Sequence, residues 1–198
     1  MAFWGENLSA GTAQDPKRNF RFKVLFGGGT GSPDVQNKVV WWAKSVGKPK
    51  MTVGASEHKF MGHTFKYPGS VTWEPISLVL VDPSSPDAGQ QTLQIMREAG
   101  YIFPEAGYEQ TANPAAFNTM NKAKAVAALG EFQIIQLDAV GAAVETWTLH
   151  NAFFSSVQFS DLSYDSDDLS DITLEVVYDW AKLSTGGPNY QFQFPAAT

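Results

Sequence analysis

The alternation of apolar and polar residues is strongest between positions 171 and 179. Apolar side chains stand at every second position from 172 to 178, and four of the five alternating positions are Asp, Glu or Thr. A period of two is typical of a β-strand with one face in the core. The predicted core residues of this last strand are Ile172, Leu174, Val176 and Tyr178. Glu175 and Asp179 are predicted to lie on the opposite face, in solvent.

The amino-terminal part of the chain shows weaker forms of the same pattern. Residues 20–26 alternate and predict a half-buried strand, and a second strand is predicted near residues 38–46. A Pro-Gly turn at 68–69 is predicted to lead into a strand over residues 71–81. Pro75 lies inside that strand, which indicates an edge position or a bulge.

Two stretches in the middle of the chain have the start and stop signals of helices. Ser85 is a predicted N-cap, Pro86 suits the first helical position, and Gly100 is predicted to end the helix. Asn113–Pro114 predicts a second helix start, and Gly130 its end. Helices are therefore expected only between the two β-rich parts of the chain.

The β pattern returns after the second helix. Strands are predicted near residues 131–138 and 144–154, joined as a hairpin. The sequence therefore predicts a mainly β fold, an antiparallel β-sandwich or barrel of two packed sheets with one or two flanking α-helices. We expect a single domain over residues 1–198, with an irregular amino-terminal arm at 1–19 and an irregular carboxyl-terminal tail at 184–198.

Composition narrows the function classes. The chain has no cysteine, which excludes disulfides, thiolate catalysis and zinc sites built on cysteine. The longest apolar run, at residues 76–81, is too short for a membrane span, so none is predicted. The chain has 14 Phe, 6 Trp and 6 Tyr. Because aromatic side chains are enriched at interface cores, this content favours assembly, although a β-sandwich core can also hold many aromatics.

Charge is distributed unevenly along the chain. Residues 1–66 contain ten Lys or Arg and four Asp or Glu, whereas residues 131–181 contain ten Asp or Glu and no basic residue. The two regions are either separate solvated faces or surfaces that meet on neighbouring copies. The candidate basic surface comprises Lys17, Arg18, Lys44, Lys48, Lys50 and Lys59. The candidate acidic surface comprises Asp161, Asp165, Asp167, Asp168 and Asp171.

Patterns that suggest phosphate or transition-metal binding are weak. The glycine-rich stretch at residues 27–32 is followed by Pro33, and not by the Gly-Lys-Ser/Thr of a phosphate-binding loop. His58 and His63 are five residues apart, so on a strand they point to opposite faces. We expect no catalytic residue, metal ion or cofactor.

The acidic loop also departs from a calcium site. Asp165 and Asp167 have the spacing that opens a calcium-binding loop. However, Ser170 and Val176 stand where such a loop needs glycine and a bidentate glutamate. A solvated acidic loop fits these residues better than an ion site.

Several segments carry a resemblance to a known family. They are Phe20–Val24, Trp41–Pro49, Tyr67–Ile76, Phe132–Leu137, Val144–Phe153, Phe159–Tyr164 and Tyr178–Trp180. In their order and spacing they resemble tail tube proteins of T4-like contractile-tailed bacteriophages, over most of residues 20–182.

The resemblance implies a structural virion protein and not an enzyme. It implies two packed sheets plus a helix, assembled as homo-hexameric rings that stack into the inner tube of the tail. The implied partners are the tail sheath protein, the baseplate, the tail terminator, and the tape measure protein and DNA inside the lumen. The implied location is the virion tail, after assembly in the host cytoplasm. Glu175 and Asp179 are then candidates for an acidic lumen that repels DNA, and the two charged surfaces are candidates for contacts between rings.

Two alternatives stay open at the level of sequence. One is a related tube-like part, namely a secretion-system tube or a baseplate or terminator protein. The other is a monomeric β-sandwich that binds a sugar or another small ligand on exposed aromatics. A ring that does not extend would indicate the first, and a monomer at high concentration the second.

Overall fold

A computed structural model describes residues 17–26, 42–85, 87–101, 119–165 and 167–185. Within these residues it has ten strands and two helices. The strands are β1 Phe22–Leu25, β2 Ala43–Val46, β3 Lys50–Phe60, β4 His63–Glu74, β5 Ile76–Val81, β6 Phe132–Leu137, β7 Ala143–His150, β8 Phe153–Phe159, β9 Asp171–Val177 and β10 Trp180–Thr185. The helices are α1 Ala88–Glu98 and α2 Lys122–Leu129.

The strands form two four-stranded sheets and a separate hairpin. The first sheet has the order β1-β6-β7-β10, the second has the order β2-β5-β9-β8, and β3 pairs with β4 alone. All of these pairings are antiparallel. The predicted fold class, a mainly β sandwich with flanking helices, is confirmed.

Apolar side chains from both sheets meet in one core. Phe26 follows β1 and stacks on Phe132 of the first sheet, with ring centroids 5.6 Å apart. The same ring meets the edge of Phe154 in the second sheet at 6.1 Å. These three buried rings join the two layers, because aromatic pairs favour such stacked and edge-on contacts.

Strand β9 occupies the centre of the second sheet. Ile172, Leu174 and Val176 are 0–1% exposed, and Tyr178 just beyond the strand is 5% exposed. Leu174 lies opposite Leu78 of β5, which is also fully buried. A shift of register by one residue would bring the acidic face of β9 into this core, so the pairing is strongly specified.

The stretch from 63 to 81 differs from the prediction. Pro68 and Gly69 lie inside β4 and do not form a turn. The chain reverses instead at Met61 and Gly62, both of which have positive φ (48° and 79°). Pro75 separates β4 from β5, because it cannot donate a ladder hydrogen bond. The predicted single strand over 71–81 is therefore wrong, and its two halves belong to different sheets.

The predicted strand near 144–154 is also divided. β7 ends at His150 in the first sheet, and β8 begins at Phe153 in the second. Asn151 between them has a φ of 57°, which turns the chain from one layer to the other. Ala152 is fully buried at this crossing, so apolar character continues through the break.

Helix α1 begins two residues later than predicted. Its N-cap is Asp87 and not Ser85, and the Asp87 carboxylate accepts a hydrogen bond from the backbone N–H of Gln90 at 2.8 Å. A carboxylate is favoured there over a hydroxyl because it also interacts with the positive end of the helix dipole. Gly100, with a φ of 103°, follows the C-cap as predicted. Its N–H donates to the carbonyl of Arg97 at 2.9 Å, which closes the helix end.

Helix α2 has Asn121 as its N-cap and Gly130 as its C-cap. Gly130 is the predicted end. The predicted start at Asn113–Pro114 is wrong for this helix, because residues 119–121 are not helical and the helix begins at Lys122; residues 113 and 114 themselves lie outside the described residues. The predicted tail is shorter than 184–198, since residues 184 and 185 still belong to β10. No helix of the described residues is long and apolar enough to cross a membrane.

Candidate assembly surfaces

The β3–β4 hairpin is the most exposed element of the described chain. Every residue of β3 is exposed, as are residues 63–72 of β4. Eleven residues in extended conformation reach about 35 Å, so the hairpin projects well beyond the sandwich. Its base is fixed to the body by Trp73, whose ring lies 6.0 Å from the buried ring of Tyr178.

An ion pair also fixes the base of the hairpin. The Lys50 ammonium donates to Glu74 at 2.7 Å, and the Thr52 hydroxyl donates to the other oxygen of the same carboxylate at 2.6 Å. These two hydrogen bonds lower the pKa of Glu74. Lys50, a member of the candidate basic surface, is therefore paired within its own chain.

A β-bulge divides the hairpin into two halves with opposite faces. The register shifts between Val53 and Ala55, where β4 has one more residue than β3. Residues directly opposite each other share a face. Val53 and Ser56 are three residues apart in β3 and lie on opposite faces, so their partners Val71 and Tyr67, four residues apart in β4, also lie on opposite faces because of the bulge. The apolar side chains on one face near the base are Met51, Val53 and Val71, here called the base patch. Those on the other face near the turn are Phe60, Phe65 and Tyr67, here called the tip patch.

Both patches are open to solvent. Phe65 is 48% exposed, Tyr67 55% and Phe60 59%, and the three base-patch residues are between 51% and 59% exposed. A two-stranded hairpin is at best marginally stable by itself, and contiguous exposed apolar side chains mark interaction sites. The hairpin therefore has the character of a contact surface on both faces.

The two sheets also have unpaired edges. Within the described residues, no strand pairs with the outer edges of β1 and β10 in the first sheet, or of β2 and β8 in the second. Free edges carry backbone donors and acceptors that can pair with another chain. These edges are a second candidate surface for assembly.

Most lysines of the candidate basic surface form ion pairs within the subunit. Lys44 donates to Asp171 at 2.5 Å, so a member of the basic surface contacts a member of the acidic surface in the same chain. Lys17 and Lys48 both form ion pairs with Glu145. Within one subunit the fold therefore brings Lys44 of the basic set next to Asp171 of the acidic set, and the contact of the two charged surfaces between rings stays a prediction. Lys59, by contrast, lies exposed on the hairpin.

Glu145 is the centre of a charged cluster that sequence reasoning missed. It lies on β7, is 6% exposed, and accepts hydrogen bonds from Lys17, from Lys48 at 2.9 Å and from the indole N–H of Trp147 at 2.5 Å. The Lys48 ammonium also donates to the Gln136 side chain at 2.7 Å. Lys17 and Lys48 are not part of the strands of the first sheet. Their contacts with Gln136 and Glu145 therefore hold the segments that contain these two lysines against strands β6 and β7.

The protonation of Glu145 follows from these contacts. Burial by itself would raise the pKa of this carboxyl group. The hydrogen bonds from Lys17, Lys48 and Trp147 outweigh burial and lower the pKa to about 2. Glu145 is therefore ionised at neutral pH, and its charge is compensated within the subunit.

The two candidate lumen acids differ in their surroundings. Asp179 accepts hydrogen bonds from Lys122 at 2.6 Å and from the Asn151 side chain at 2.7 Å, and these contacts lower its pKa. Glu175 is exposed on the outer face of β9 and accepts a hydrogen bond from the Ser155 hydroxyl at 2.9 Å. Among the described residues, no lysine contacts the exposed Glu175 carboxylate, whereas the Asp179 carboxylate is paired with Lys122.

The acidic loop between β8 and β9 lies at the surface. Asp161, Asp165, Asp167 and Asp168 are exposed, and Asp171 is half-buried at the start of β9. No group of three or more potential metal-ligating side chains occurs among the residues that the structure describes. Leu162 and Leu169 in this loop are 90% and 71% exposed, so it carries apolar as well as acidic groups.

Comparison with known proteins gives matches of shape and not of sequence. No protein-family model matches the chain, and no curated protein does. A chain in the sheath/tube terminator of an extracellular contractile injection system, PVC, matches with a TM-score of 0.61 and 16% identity. The match covers 88% of this chain and 100% of that one.

Two further structures give similar values. A chain in the six-fold symmetrised baseplate of the anti-feeding prophage has a TM-score of 0.60 and 18% identity, covering 87% of this chain and 98% of that chain. A chain in the PVC sheath–tube complex has a TM-score of 0.59 and 16% identity, covering 87% and 93%. At these identities the likeness establishes a shared fold. This chain therefore shares its fold with chains of contractile injection systems.

Proposed function

We propose that this protein is a structural subunit of the inner tube of a contractile phage tail. In this proposal it assembles as homo-hexameric rings that stack into a conduit for DNA. The shared fold with chains of contractile injection systems supports the tube-like role, and the resemblance of its sequence to phage tail tube proteins supports the phage tail among such systems.

The observation that carries the proposal is the exposed hairpin with apolar patches on opposite faces. Phe60, Phe65 and Tyr67 are exposed in the monomer and do not stabilise it. Burying a side chain of this kind in an interface would contribute about 1.5–3 kcal/mol of stabilisation. Patches on both faces suit a subunit held between neighbours, as in rings that close and stack through heterologous contacts. We propose a second copy of this chain as the partner of each patch.

The outer face of the second sheet is the proposed lumen wall. Glu175 is exposed there and contacts no lysine of the described residues, so six copies would form a ring of carboxylates. Such a ring repels phosphates, so DNA passes without adhesion. Asp179 is the weaker candidate because Lys122 compensates its charge.

The remaining proposed partners follow from a tube inside a contractile tail. They are the sheath protein around the tube, the baseplate at one end and the terminator at the other. The proposed location is the virion tail, with assembly in the host cytoplasm. Nothing in this role requires a cofactor or catalysis.

The proposal is tested by negative-stain microscopy and sedimentation of the purified protein. The parent chain should form rings or tubes. Phe65→Ala with Tyr67→Ala should lower the assembled fraction strongly, because both side chains lie in the tip patch. The matched control is Thr64→Ala with Lys66→Ala, on the other face of the same half of β4, and it should assemble like the parent. A strict monomer at every concentration would contradict the proposal.

A related tube-like part is the second candidate function. Matching chains also come from a baseplate and from a sheath/tube terminator, with TM-scores close to that of the sheath–tube complex. Rings that stay single at high concentration, in the presence of intact tip patches, would favour a baseplate or terminator part over a long tube.

A further inference from the structure

A cleft with both apolar and polar walls lies where the edges of the two sheets approach each other. It has a volume of about 690 Å³. Its apolar lining includes Phe22 of β1, Ala43 and Val46 of β2 and Ile134 of β6, and its polar lining comprises Asn19, Lys44, Ser45, Lys48 and Gln136. Phe20 at its rim is 74% exposed. The volume lies within the range in which proteins bury small ligands, about 300–1,000 Å³. Both edges beside the cleft lack a pairing strand among the described residues.

The register of the first sheet relates this cleft to the end of β10. Thr185 lies opposite Glu145, Glu145 opposite Gln136, and Gln136 opposite Phe22. These four residues form a row across the sheet, from Thr185 in the last strand to Phe22 in the first, where the cleft opens. Strands lie about 4.8 Å apart, so Thr185 and Phe22 are separated by about 14 Å.

The sequence after Thr185 fits the cleft. Tyr190, Phe192 and Phe194 alternate with Gln191 and Gln193. Pro188 and Pro195 flank this run, and no residue from 186 to 198 is charged. A period of two places the three aromatic side chains on one face of an extended segment, about 6.8 Å apart. The amino-terminal arm also has aromatic residues but shows no such period.

Residues 190–194 are poorly placed to bind in the cleft of their own subunit. The direct path from Thr185 crosses the row at Glu145, where the Lys17 and Lys48 ammonium groups lie. A neutral aromatic segment on this path would have to cross both ammonium groups. Lys48 also lines the cleft, so a segment that enters from the β1 edge still contacts this ammonium but does not cross Lys17 and Glu145. In a ring that places the β10 edge of one copy beside the β1 edge of the next, the path is one strand spacing, about 5 Å.

We propose that residues 190–194 of each copy dock in the β1–β2 cleft of the next copy in the ring. Tyr190, Phe192 and Phe194 are the apolar anchors, and the two glutamines face solvent or the free strand edge. The inference rests on the ring assembly proposed above. It identifies the partner that covers the cleft as the carboxyl-terminal segment of a second copy.

The absence of cysteine allows a direct test in the full-length chain. Gln193→Cys, which keeps all three aromatic anchors, is combined with Ser45→Cys in the exposed lining of the cleft. A short bis-maleimide cross-linker is then added to rings that have been verified by microscopy. A ladder of linked subunits on denaturing gels is the expected result. The matched control combines Gln193→Cys with Ser156→Cys, which is exposed on β8 away from the cleft, and should give no ladder.

Other outcomes separate this inference from the proposed function. Rings that give no ladder, or only internally linked monomers of altered mobility, would overturn the docking in the next copy and leave the tube proposal intact. Absence of rings would remove both. Phe192→Ser with Phe194→Ser should also lower the assembled fraction about tenfold or more, whereas Gln191→Ser with Gln193→Ser should leave it unchanged. Equal assembly of the two variants would count against the aromatic anchors.

Discussion

Replacement of Glu145 by glutamine is expected to destabilise the subunit through loss of charge and not of shape. Glutamine has nearly the same volume and keeps one oxygen that can accept from Trp147. It cannot form the ion pairs with Lys17 and Lys48. Both lysines are about half exposed, so they can return to water when the carboxylate is absent.

The size of the effect follows from the pKa of Glu145. The pKa falls from an ordinary 4.5 to about 2 in the folded protein. One pKa unit corresponds to about 1.4 kcal/mol, so the folded state gains about 3 kcal/mol from the ionised form at neutral pH. Because the lysines are half solvated and glutamine retains one hydrogen bond, we expect Glu145→Gln to cost about 2–3 kcal/mol at pH 7.

The same reasoning sets the pH dependence. The folded-state pKa is depressed, so the stabilisation is present in full above pH 4.5 and is lost as pH falls towards 2. The difference in the free energy of unfolding between parent and variant should therefore shrink to less than half near pH 3. Other acids titrate in both proteins, and their effects cancel in this difference.

The assay is urea unfolding at concentrations where sedimentation shows only monomer, repeated between pH 7 and about pH 3. Glu175→Gln is the matched control, because that glutamate is exposed on β9 and should change stability by less than about 0.5 kcal/mol. A Glu145→Gln variant as stable as the parent at pH 7 would refute the reasoning. So would a difference that stays constant down to pH 3.

Three further predictions follow from the fold and the proposed tube. Leu174→Ala should lower the free energy of unfolding by about 2–5 kcal/mol because the side chain is fully buried, whereas a loss below 1 kcal/mol would contradict its place in the core. Glu175→Lys tubes should retain fluorescent DNA at low salt while parent tubes do not; equal retention would argue against a lumen position. Tube length should fall as salt rises past about 0.15 M, because salt screens the charges between rings. The triple variant Asp165→Lys, Asp167→Lys, Asp168→Lys should stack poorly at low salt. Tube growth that does not depend on salt would indicate that apolar contacts alone hold the rings together.

Local signals in the sequence were sufficient for several elements. The period of two from 171 to 179 predicted which residues of β9 face inward, and Ile172, Leu174 and Val176 are indeed fully buried. Gly100 and Gly130 predicted the ends of both helices, since a helix end depends on a residue that tolerates positive φ. Such features depend on neighbours within a few positions, so the sequence contains them directly.

Other features were decided only by the tertiary structure. Val71 and Tyr67 are four residues apart, and alternation in β4 alone would place them on one face. They lie on opposite faces because β4 has one more residue than β3 at the bulge, which the sequence of β4 does not reveal. Lys44 and Asp171 are 127 positions apart and were predicted on different surfaces, yet β2 and β9 both pair with β5 and bring them together. Glu145 showed no local signal in the sequence, because its ion-pair partners, Lys17 and Lys48, are 128 and 97 positions away along the chain. Contacts between charges depend on which strands become neighbours, and strand order is set by packing of the whole core and not by distance along the chain.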